Sequence, residues 1–200
     1  MLDTKARKYV QPLFNKITNG FIWLKVSPIQ VTFLALVIGL LSPLMLYLDH
    51  HFFAFALLWL SGLLDVVDGS LARLTGKSSE FGALMDLIFD RIVEIVFIIS
   101  IALKHMETRM PAICLLSAII FSFSIFLTVG AVTEKKGEKA FYYQAGLAER
   151  TETFIIFSLL ILLPHYQVWI MNLFTIMIIY TGTQRFYEAY QLFGKPKSRA

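Results

Sequence analysis

Long apolar segments separated by short polar connections occupy most of this 200-residue chain. Apolar segments of roughly 18 to 25 residues are long enough to cross a bilayer as helices. The pattern predicts six such helices, at residues 28–48, 52–74, 81–103, 111–133, 148–163 and 168–192. We therefore expect an all-α polytopic membrane protein.

Residues 2–21 show a different pattern, in which basic residues are interspersed with apolar side chains at helical spacing, among them Tyr9, Leu13 and Ile17. This pattern is typical of an amphipathic helix lying in the membrane interface, and Pro12 would kink or break it. The domain organisation predicted from these patterns is an interfacial segment at 1–27, a six-helix membrane domain at 28–192 and a basic tail at 193–200.

Composition and charge agree with a membrane protein. Hydrophobic residues make up 57% of the chain and charged residues 16%, and the mean hydropathy is +0.68, values outside the range of ordinary soluble domains. Most Lys and Arg residues of the predicted loops fall on one side, which places both termini in the cytoplasm by the positive-inside rule. The net charge of +4 is thus mainly a topology signal. Because the bases are scattered over segments next to the helices, nucleic-acid binding has no support.

Four aspartates interrupt the second and third predicted helices: Asp65, Asp68, Asp86 and Asp90. Carboxylates at membrane depth are costly and mark functional sites. Each pair is spaced three or four residues apart and therefore shares one helix face. The short connection at 75–79 makes the two helices antiparallel neighbours, so both pairs reach one cytoplasmic opening. Hard oxygen ligands without Cys or His alongside indicate Mg²⁺, Mn²⁺ or Ca²⁺.

Small residues and one arginine accompany the aspartates. Gly69 and Ala72, with Gly82 opposite, remove side-chain bulk where a ligand could approach closely. Arg73 follows Asp68 by just over one helical turn. A guanidinium beside bound metal is the arrangement expected for a phosphate or pyrophosphate ligand. The set therefore indicates phosphoryl transfer, in which positioning and charge neutralisation do most of the catalysis.

On these residues the chain resembles the CDP-alcohol phosphotransferase family, also called CDP-alcohol phosphatidyltransferases. All eight fixed positions of the family signature have a counterpart at the right spacing: Asp65, Asp68, Gly69, Ala72, Arg73, Gly82, Asp86 and Asp90. Eight specified residues coincide by chance very rarely. The expected six spans, the interfacial helix and the chain length are also similar to that family.

The resemblance implies a reaction in which the hydroxyl of a small polar alcohol attacks a CDP-linked donor, usually CDP-diacylglycerol, and CMP is released. It implies that Asp65, Asp68 and Asp86 hold two Mg²⁺ or Mn²⁺ ions, with Asp90 also close to the metal. Asp90 would be the general base. The family also implies that Gly69, Ala72, Arg73 and Gly82 contact the CDP moiety and that the protein is a homodimer in the bilayer.

The basic stretch after the fourth predicted helix is the candidate acceptor region. Residues 146–150, Gly-Leu-Ala-Glu-Arg, are similar to the Gly-x-x-Glu-Arg stretch of phosphatidylinositol-phosphate and archaetidylinositol-phosphate synthases. By that resemblance Lys136 and Arg150 bind the acceptor. Glu134 and Ala131 stand where that subgroup has a basic and a hydroxyl residue, so the acceptor stays open between phosphorylated and other polar alcohols.

Residues 26–32 resemble the family's Ser/Thr-Pro-Asn-x-x-Thr segment before the first span, with Ile29 in place of Asn. Ser27 as a helix cap and Pro28 as the first helical residue explain this segment structurally. Thr32 is a candidate for the cytidine side. Two further charged residues have two interpretations each: Arg91 balances the carboxylates or contacts substrate, and Glu94 lines the acceptor pocket or bonds a neighbouring helix.

Two other functions fit part of the pattern. One is transfer of phosphocholine or phosphoethanolamine from a soluble CDP-alcohol to diacylglycerol, although relatives of that type are generally longer. The other is a divalent-cation transporter that binds its ion with the four carboxylates. The confinement of the aspartates to one side and the Gly-x-x-Ala-Arg arrangement count against transport.

Overall fold

A computed structural model describes residues 17–135 and 150–194, except for the side chains of residues 133–135 and 150. Within this part of the chain the regular elements are helical, which confirms the all-α prediction. The long helices are α1 (Pro28–Tyr47), α2 (His51–Leu74), α3 (Glu80–Lys104), α4 (Arg109–Lys135), α5 (Arg150–Leu162) and α6 (Gln167–Phe193). Residues 17–23 are also helical, and the 3-10 turns Met106–Thr108 and Pro164–Tyr166 precede α4 and α6.

Local sequence signals define the helix ends next to the aspartates. At the start of α1, the Gln30 amide donates to Ser27 Oγ over 3.3 Å and the Ser27 amide donates to Gln30 Oε1 over 2.8 Å, which is a capping box. Ser79 caps α3 by accepting from the Gly82 amide at 3.0 Å. Gly76 has a φ of +65° in the turn between α2 and α3, a conformation that favours glycine. This turn makes α2 and α3 antiparallel.

The helices pack around two hydrophobic cores. α1 packs against α2 and α3, α4 against α6, and α5 against α2 and α6. The larger core contains a stack of Phe97 on Phe157, with ring centroids 4.4 Å apart, and Phe174 meets Phe157 edge-on. The smaller core consists of Val31, Ala35, Leu64, Val67 and Leu71. The two cores hold α1, α2, α3 and α5 in fixed positions around the aspartates.

The described end of the N-terminal helical segment packs on the smaller core through Ile17 and Phe21. Thr18 in the same segment is fully buried. The remainder of the predicted interfacial amphipathic helix, residues 2–16, lies outside the described residues, as do residues 136–149 and the basic tail from residue 195.

At the end of α3 farthest from the aspartates, one lysine joins α3 to the C-terminus of α1. Lys104 Nζ donates to the carbonyl oxygens of Leu46 and Tyr47 at 3.0 and 3.1 Å and to Asp49 Oδ1 at 2.5 Å. These carbonyls are among the last of α1, where the helix dipole favours a cation. Lys104 therefore caps a helix other than its own.

Three described helical stretches are long and apolar enough to cross a membrane: Pro28–Tyr47, His51–Leu74 and Met106–Val132. A fourth is obtained if Thr151–Leu162 and Pro164–Phe193, which are bent by 112° at their junction, form one broken span. Helix α3 has the length but carries Asp86, Asp90, Arg91 and Glu94, and charged residues lower its hydropathy. The described part of α5 has only 13 residues.

Candidate active site

Three of the four aspartates converge where α2 and α3 approach their connecting turn. Asp65, Asp68 and Asp86 each offer a carboxylate oxygen, and these oxygens all lie within 4.8 Å of one another. Asp68 is buried, with 5% of its surface exposed, and Asp65 and Asp86 are half-buried. The structure thus brings together residues that are as many as 21 positions apart, as the antiparallel arrangement of the two helices requires.

The donor set of this cluster fits a divalent cation. Three carboxylates this close repel one another as anions, and a bound cation removes that repulsion. Oxygen-only ligands suit Mg²⁺ or Mn²⁺, and among the described residues the cluster includes neither His nor Cys. Asp90 lies one turn beyond Asp86 on α3, outside this group of three, and lines a cleft together with Asp65.

The cleft runs from the aspartates into the interior between α1, α2, α3 and α5. Its volume is about 580 Å³ including the open space at its mouth. Four of its polar lining residues are Thr32, Asp65, Asp90 and Glu94, while its apolar wall includes Ala35, Leu36, Leu58, Val93, Phe154 and Phe157. A molecule in this cleft would contact both carboxylates and apolar side chains.

The small residues of the signature have different surroundings on α2 and on α3. A Cβ built on Gly69 would lie 3.4 Å from Arg73 Nη1, an ordinary contact. Packing within the protein therefore does not require glycine at this position. On α3, a Cβ at Gly82 would come 3.0 Å from Ser79 Oγ, the capping hydroxyl. Arg73 is exposed and donates from Nη2 to Ser70 Oγ at 3.2 Å, and Ala72 is half-buried beside it.

Thr32, the residue expected on the cytidine side, is 7% exposed and lines the cleft. Its Oγ1 donates to the Pro28 carbonyl at 3.0 Å, so its lone pairs can still accept a hydrogen bond. The structure places it in the same cleft as Asp65 and Asp90.

Arg91 and Glu94 form an ion pair on α3. Arg91 Nη2 lies 2.5 Å from Glu94 Oε1, and Arg91 Cζ lies 5.7 Å from the centroid of the Phe123 ring on α4. Arg91 is thus paired with Glu94, and Glu94 also lines the cleft; contact of either residue with substrate stays a prediction.

The predicted acceptor residues are at the edge of what the structure describes. Lys136 lies outside the described residues, and Arg150 is the first residue of α5, with a side chain that is not described. The next turn of α5 reaches the cleft through Thr153 and Phe154.

Several cleft residues carry no signal in the sequence. Gly62 and Phe154 meet across the boundary between α2 and α5, and both line the cleft. Gly62 precedes Asp65 by three positions and so shares its helix face, which is the one local hint. Nothing in the hydrophobic pattern of α5 distinguishes Thr153 or Phe154 from their neighbours.

Comparisons with known proteins give one consistent relationship. The family model described as CDP-alcohol phosphatidyltransferase matches residues 25–180. An archaetidylinositol phosphate synthase of Pyrococcus horikoshii is 31% identical over 190 residues, covering 94% of this chain and 96% of the relative. An inner membrane protein of Escherichia coli is 28% identical over 200 residues, covering 95% and 96% of the two chains.

The fold has a counterpart among solved structures. A phosphatidylinositol phosphate synthase of Mycobacterium tuberculosis, solved with CDP-DAG bound, superposes with a TM-score of 0.72 and 23% identity over 90% of this chain and 94% of that one. The same enzyme has been solved in complex with manganese and citrate. The resemblance expected from the signature is thus confirmed. The chain belongs to the CDP-alcohol phosphatidyltransferase family, and with its apolar helices it is an integral membrane transferase.

Proposed function

We propose that this protein transfers a phosphatidyl group from CDP-diacylglycerol, or an ether-linked analogue, to the hydroxyl of a small polar alcohol and releases CMP. The observation that carries the proposal is the convergence of the carboxylates of Asp65, Asp68 and Asp86 within 4.8 Å, beside a cleft that contains Asp90. The reaction forms one bond between the acceptor oxygen and the lipid phosphorus and breaks one phosphorus–oxygen bond of the pyrophosphate.

The carboxylates of Asp65, Asp68 and Asp86 would hold Mg²⁺ or Mn²⁺, with Asp90 close enough to contribute. The bound cations would neutralise the pyrophosphate and stabilise the charge that develops on departing CMP. Support for these ligands comes from their all-oxygen chemistry and from the burial of Asp68, because a buried carboxylate needs compensating charge.

Asp90 would take the proton of the acceptor hydroxyl. It lies on α3 one turn from Asp86 and shares the cleft with Asp65, so a hydroxyl entering the cleft can reach both the base and the reacting phosphorus. A positioned carboxylate of this kind contributes about 10²- to 10⁴-fold to the rate as a general base. Once CMP has formed, the proton can leave through the open mouth of the cleft.

The CDP moiety would lie on the open surface formed by Gly69, Ala72 and Gly82, with Arg73 on its phosphates and Thr32 on the cytidine side. Arg73 is exposed at the end of α2 and is oriented by Ser70. A guanidinium offers several donors in a geometry that matches phosphate oxygens. The absence of a packing reason for glycine at position 69 supports a ligand there.

The acceptor would be bound by Lys136 and Arg150 if it carries a phosphate, since a dianion requires several cationic donors. The name of the Pyrococcus horikoshii relative, an archaetidylinositol phosphate synthase, supports a phosphorylated acceptor of this type. The Gly-Leu-Ala-Glu-Arg segment at 146–150 points the same way.

For the arrangement in the membrane, we propose six spans corresponding to α1–α6, an interfacial helix before α1, and both termini and the site on the cytoplasmic side. The distribution of Lys and Arg supports this topology. The charges of α3 would be tolerated inside the bundle because they line the cleft or are paired, as Glu94 is with Arg91. A homodimer is proposed from family membership.

The test is release of CMP by detergent-purified protein supplied with CDP-diacylglycerol, Mn²⁺ or Mg²⁺, and a panel of acceptors that includes inositol phosphate, glycerol phosphate, serine and inositol. We expect release with at least one acceptor, its abolition by a chelator, and its loss in Asp68→Asn. If no CMP is released with any acceptor, from either CDP-diacylglycerol or the ether-linked donor, the proposal is wrong. Release from CDP-choline with diacylglycerol would favour the soluble-donor reaction, and Mn²⁺ uptake into vesicles without a CDP-lipid would favour transport.

A further inference from the structure

The side chain of Arg73 turns back along α2 instead of extending past the end of the helix. Its Nη1 and Nη2 atoms lie 3.4 and 4.0 Å from the position that a Cβ of Gly69 would take, and Nη2 donates to Ser70 Oγ at 3.2 Å. Asp65, Gly69 and Arg73 are spaced four residues apart and therefore share one face of α2. The guanidinium thus lies over Gly69, on the helix face that carries Asp65.

The end of α2 offers the guanidinium a competing location. Arg73 lies in the last turn of the helix, where the final carbonyl groups lack partners within the helix and the helix dipole favours a cation. Within the described part of the chain, the guanidinium hydrogen-bonds the Ser70 hydroxyl and none of these carbonyls. Ser70 therefore holds the guanidinium about one turn back from the helix end.

The hydroxyl of Ser70 is itself fixed in orientation. Ser70 is buried, with 3% of its surface exposed, and its Oγ donates to the Val66 carbonyl at 2.9 Å. A serine hydroxyl has one proton and two lone pairs, so the proton is used by Val66 and the oxygen can only accept from Arg73. Ser70 is thus an oriented acceptor for the guanidinium, which uses one of its five N–H donors in this bond.

The stability of α2 gives no reason for a serine at position 70. In a helix the Val66 carbonyl already accepts the backbone amide of Ser70, and a hydroxyl that bonds the same carbonyl slightly destabilises the helix. Alanine is also the better helix former. The hydrogen bond to Arg73 is therefore the favourable interaction that the hydroxyl adds.

We propose that Ser70 is a positioning residue for nucleotide binding, whose hydroxyl holds the Arg73 guanidinium on the Asp65 face of α2 before the phosphates of the CDP moiety arrive. An exposed arginine loses rotamer freedom when it binds a ligand, and holding it in place beforehand reduces that cost. Ser70 then increases the affinity for CDP through Arg73 and not by its own contact with the ligand. This inference rests on the proposed function and adds to it a residue outside the eight signature positions.

The experiment measures the Kd for CDP in the presence of Mn²⁺ by calorimetric titration, extended to millimolar CDP so that a weakened affinity is still measured. The proteins are the wild type, Ser70→Ala, Arg73→Met and the double variant, and the Tm of each is recorded. Ser100→Ala is the matched control. Ser100 is also buried, with 8% exposed, and its hydroxyl donates to the Phe97 carbonyl at 2.8 Å, in the half of α3 away from the aspartates.

We expect Ser70→Ala to raise the Kd for CDP by about 2- to 10-fold, the range for ordering one long side chain on binding. Arg73→Met should raise it by about 10- to 100-fold, because a hydrogen bond to a charged group is lost. The double variant should have the same Kd as Arg73→Met, since Ser70 then has no guanidinium to position. Ser100→Ala should keep the wild-type Kd, and the Tm of Ser70→Ala should stay close to that of the wild type.

The inference and the proposed function fail in distinguishable ways. If the wild type binds no CDP and releases no CMP with any acceptor, the proposed function fails and this inference fails with it. If the wild type binds CDP but Ser70→Ala has the wild-type Kd, or raises the Kd by the same factor in the Arg73→Met background, the inference alone is wrong. A Tm of Ser70→Ala well below that of the wild type, or an equal loss of affinity in Ser100→Ala, would likewise show that the hydroxyl has only a structural role.

Discussion

Gly62 on α2 lies so close to the Phe154 ring of α5 that a Cβ at this position would be 2.4 Å from Cε1 of the ring. The same ring meets Trp59 at a centroid distance of 6.1 Å, and Trp59 Nε1 donates to Ser158 Oγ at 3.0 Å. The contact between α2 and α5 thus depends on a missing side chain, and Gly62 and Phe154 both line the cleft.

Replacing Gly62 by Ala should destabilise the protein, because the added methyl group must displace the Phe154 ring or separate the two helices. Overpacking of this kind costs about 1–3 kcal/mol. Thermal unfolding in detergent would show a lower Tm. Gly20→Ala is the control, since nothing lies within 4 Å of a Cβ at Gly20 and Ala is the better helix former. Equal Tm values for the two variants would contradict the proposed role of the contact.

Replacing Gly69 by Ala should leave the stability of the protein unchanged and weaken the binding of CDP. The new Cβ would make only an ordinary contact with Arg73, so the Tm should stay close to that of the wild type. If CDP lies on this surface, the methyl group occupies ligand space and the Kd for CDP should rise about tenfold or more. Calorimetric titration with CDP in the presence of Mn²⁺ measures this change. Unchanged CDP affinity would remove Gly69 from the proposed nucleotide site.

Asp90→Asn should abolish turnover while largely preserving the binding of CDP. The amide keeps the size of the side chain but cannot accept the acceptor proton, so kcat should fall by about 10²- to 10⁴-fold. CMP release and CDP titration are the two measurements. If CDP affinity is lost together with activity, Asp90 is chiefly a metal ligand instead of the base.

Acidification should destabilise the protein, because protonation of Asp49 removes its ion pair with Lys104. The hydrogen bond and the charge of Lys104 hold the pKa of the Asp49 carboxyl below its usual value. A lowered pKa in the folded state means that the stabilisation is complete at neutral pH and is lost as the pH falls through that folded pKa. Asp49→Asn should therefore have a lower Tm than the wild type at neutral pH, and the difference should vanish in acid.

The measurement is the Tm of both proteins from neutral pH to below the usual aspartate pKa of about 4. Glu107→Gln serves as a comparison, because Glu107 is exposed and lies 3.9 Å from His105 Nδ1. Its Tm at neutral pH should fall less below that of the wild type than the Tm of Asp49→Asn does. A difference between Asp49→Asn and the wild type that grows in acid would contradict the role of Lys104.

The hydrophobic pattern of the chain predicted the six helices, and the spacing of the aspartates predicted that Asp65 and Asp68 meet Asp86. Helix formation follows local periodicity, and the short turn at Gly76 leaves α2 and α3 no arrangement other than antiparallel neighbours. The meeting of Asp65 and Asp68 with Asp86 therefore follows from spacing. Fewer described helices are long and apolar enough to cross a membrane than the pattern predicts, and in α3 the reason is that charged residues lower its hydropathy.

Only the tertiary structure decided what surrounds Asp90. Thr32 of α1 and Phe154 of α5 border the same cleft as Asp90 and Glu94, although they lie far apart in the sequence. Complementary shapes determine which helix faces meet, as where the Gly62 backbone packs against the Phe154 ring. A hydrophobic pattern does not specify these contacts, because side chains of equal hydropathy differ in shape. The pairing of Glu94 with Arg91 is a local contact three residues apart on α3, whereas the position of Glu94 on the cleft wall depends on how the four helices pack.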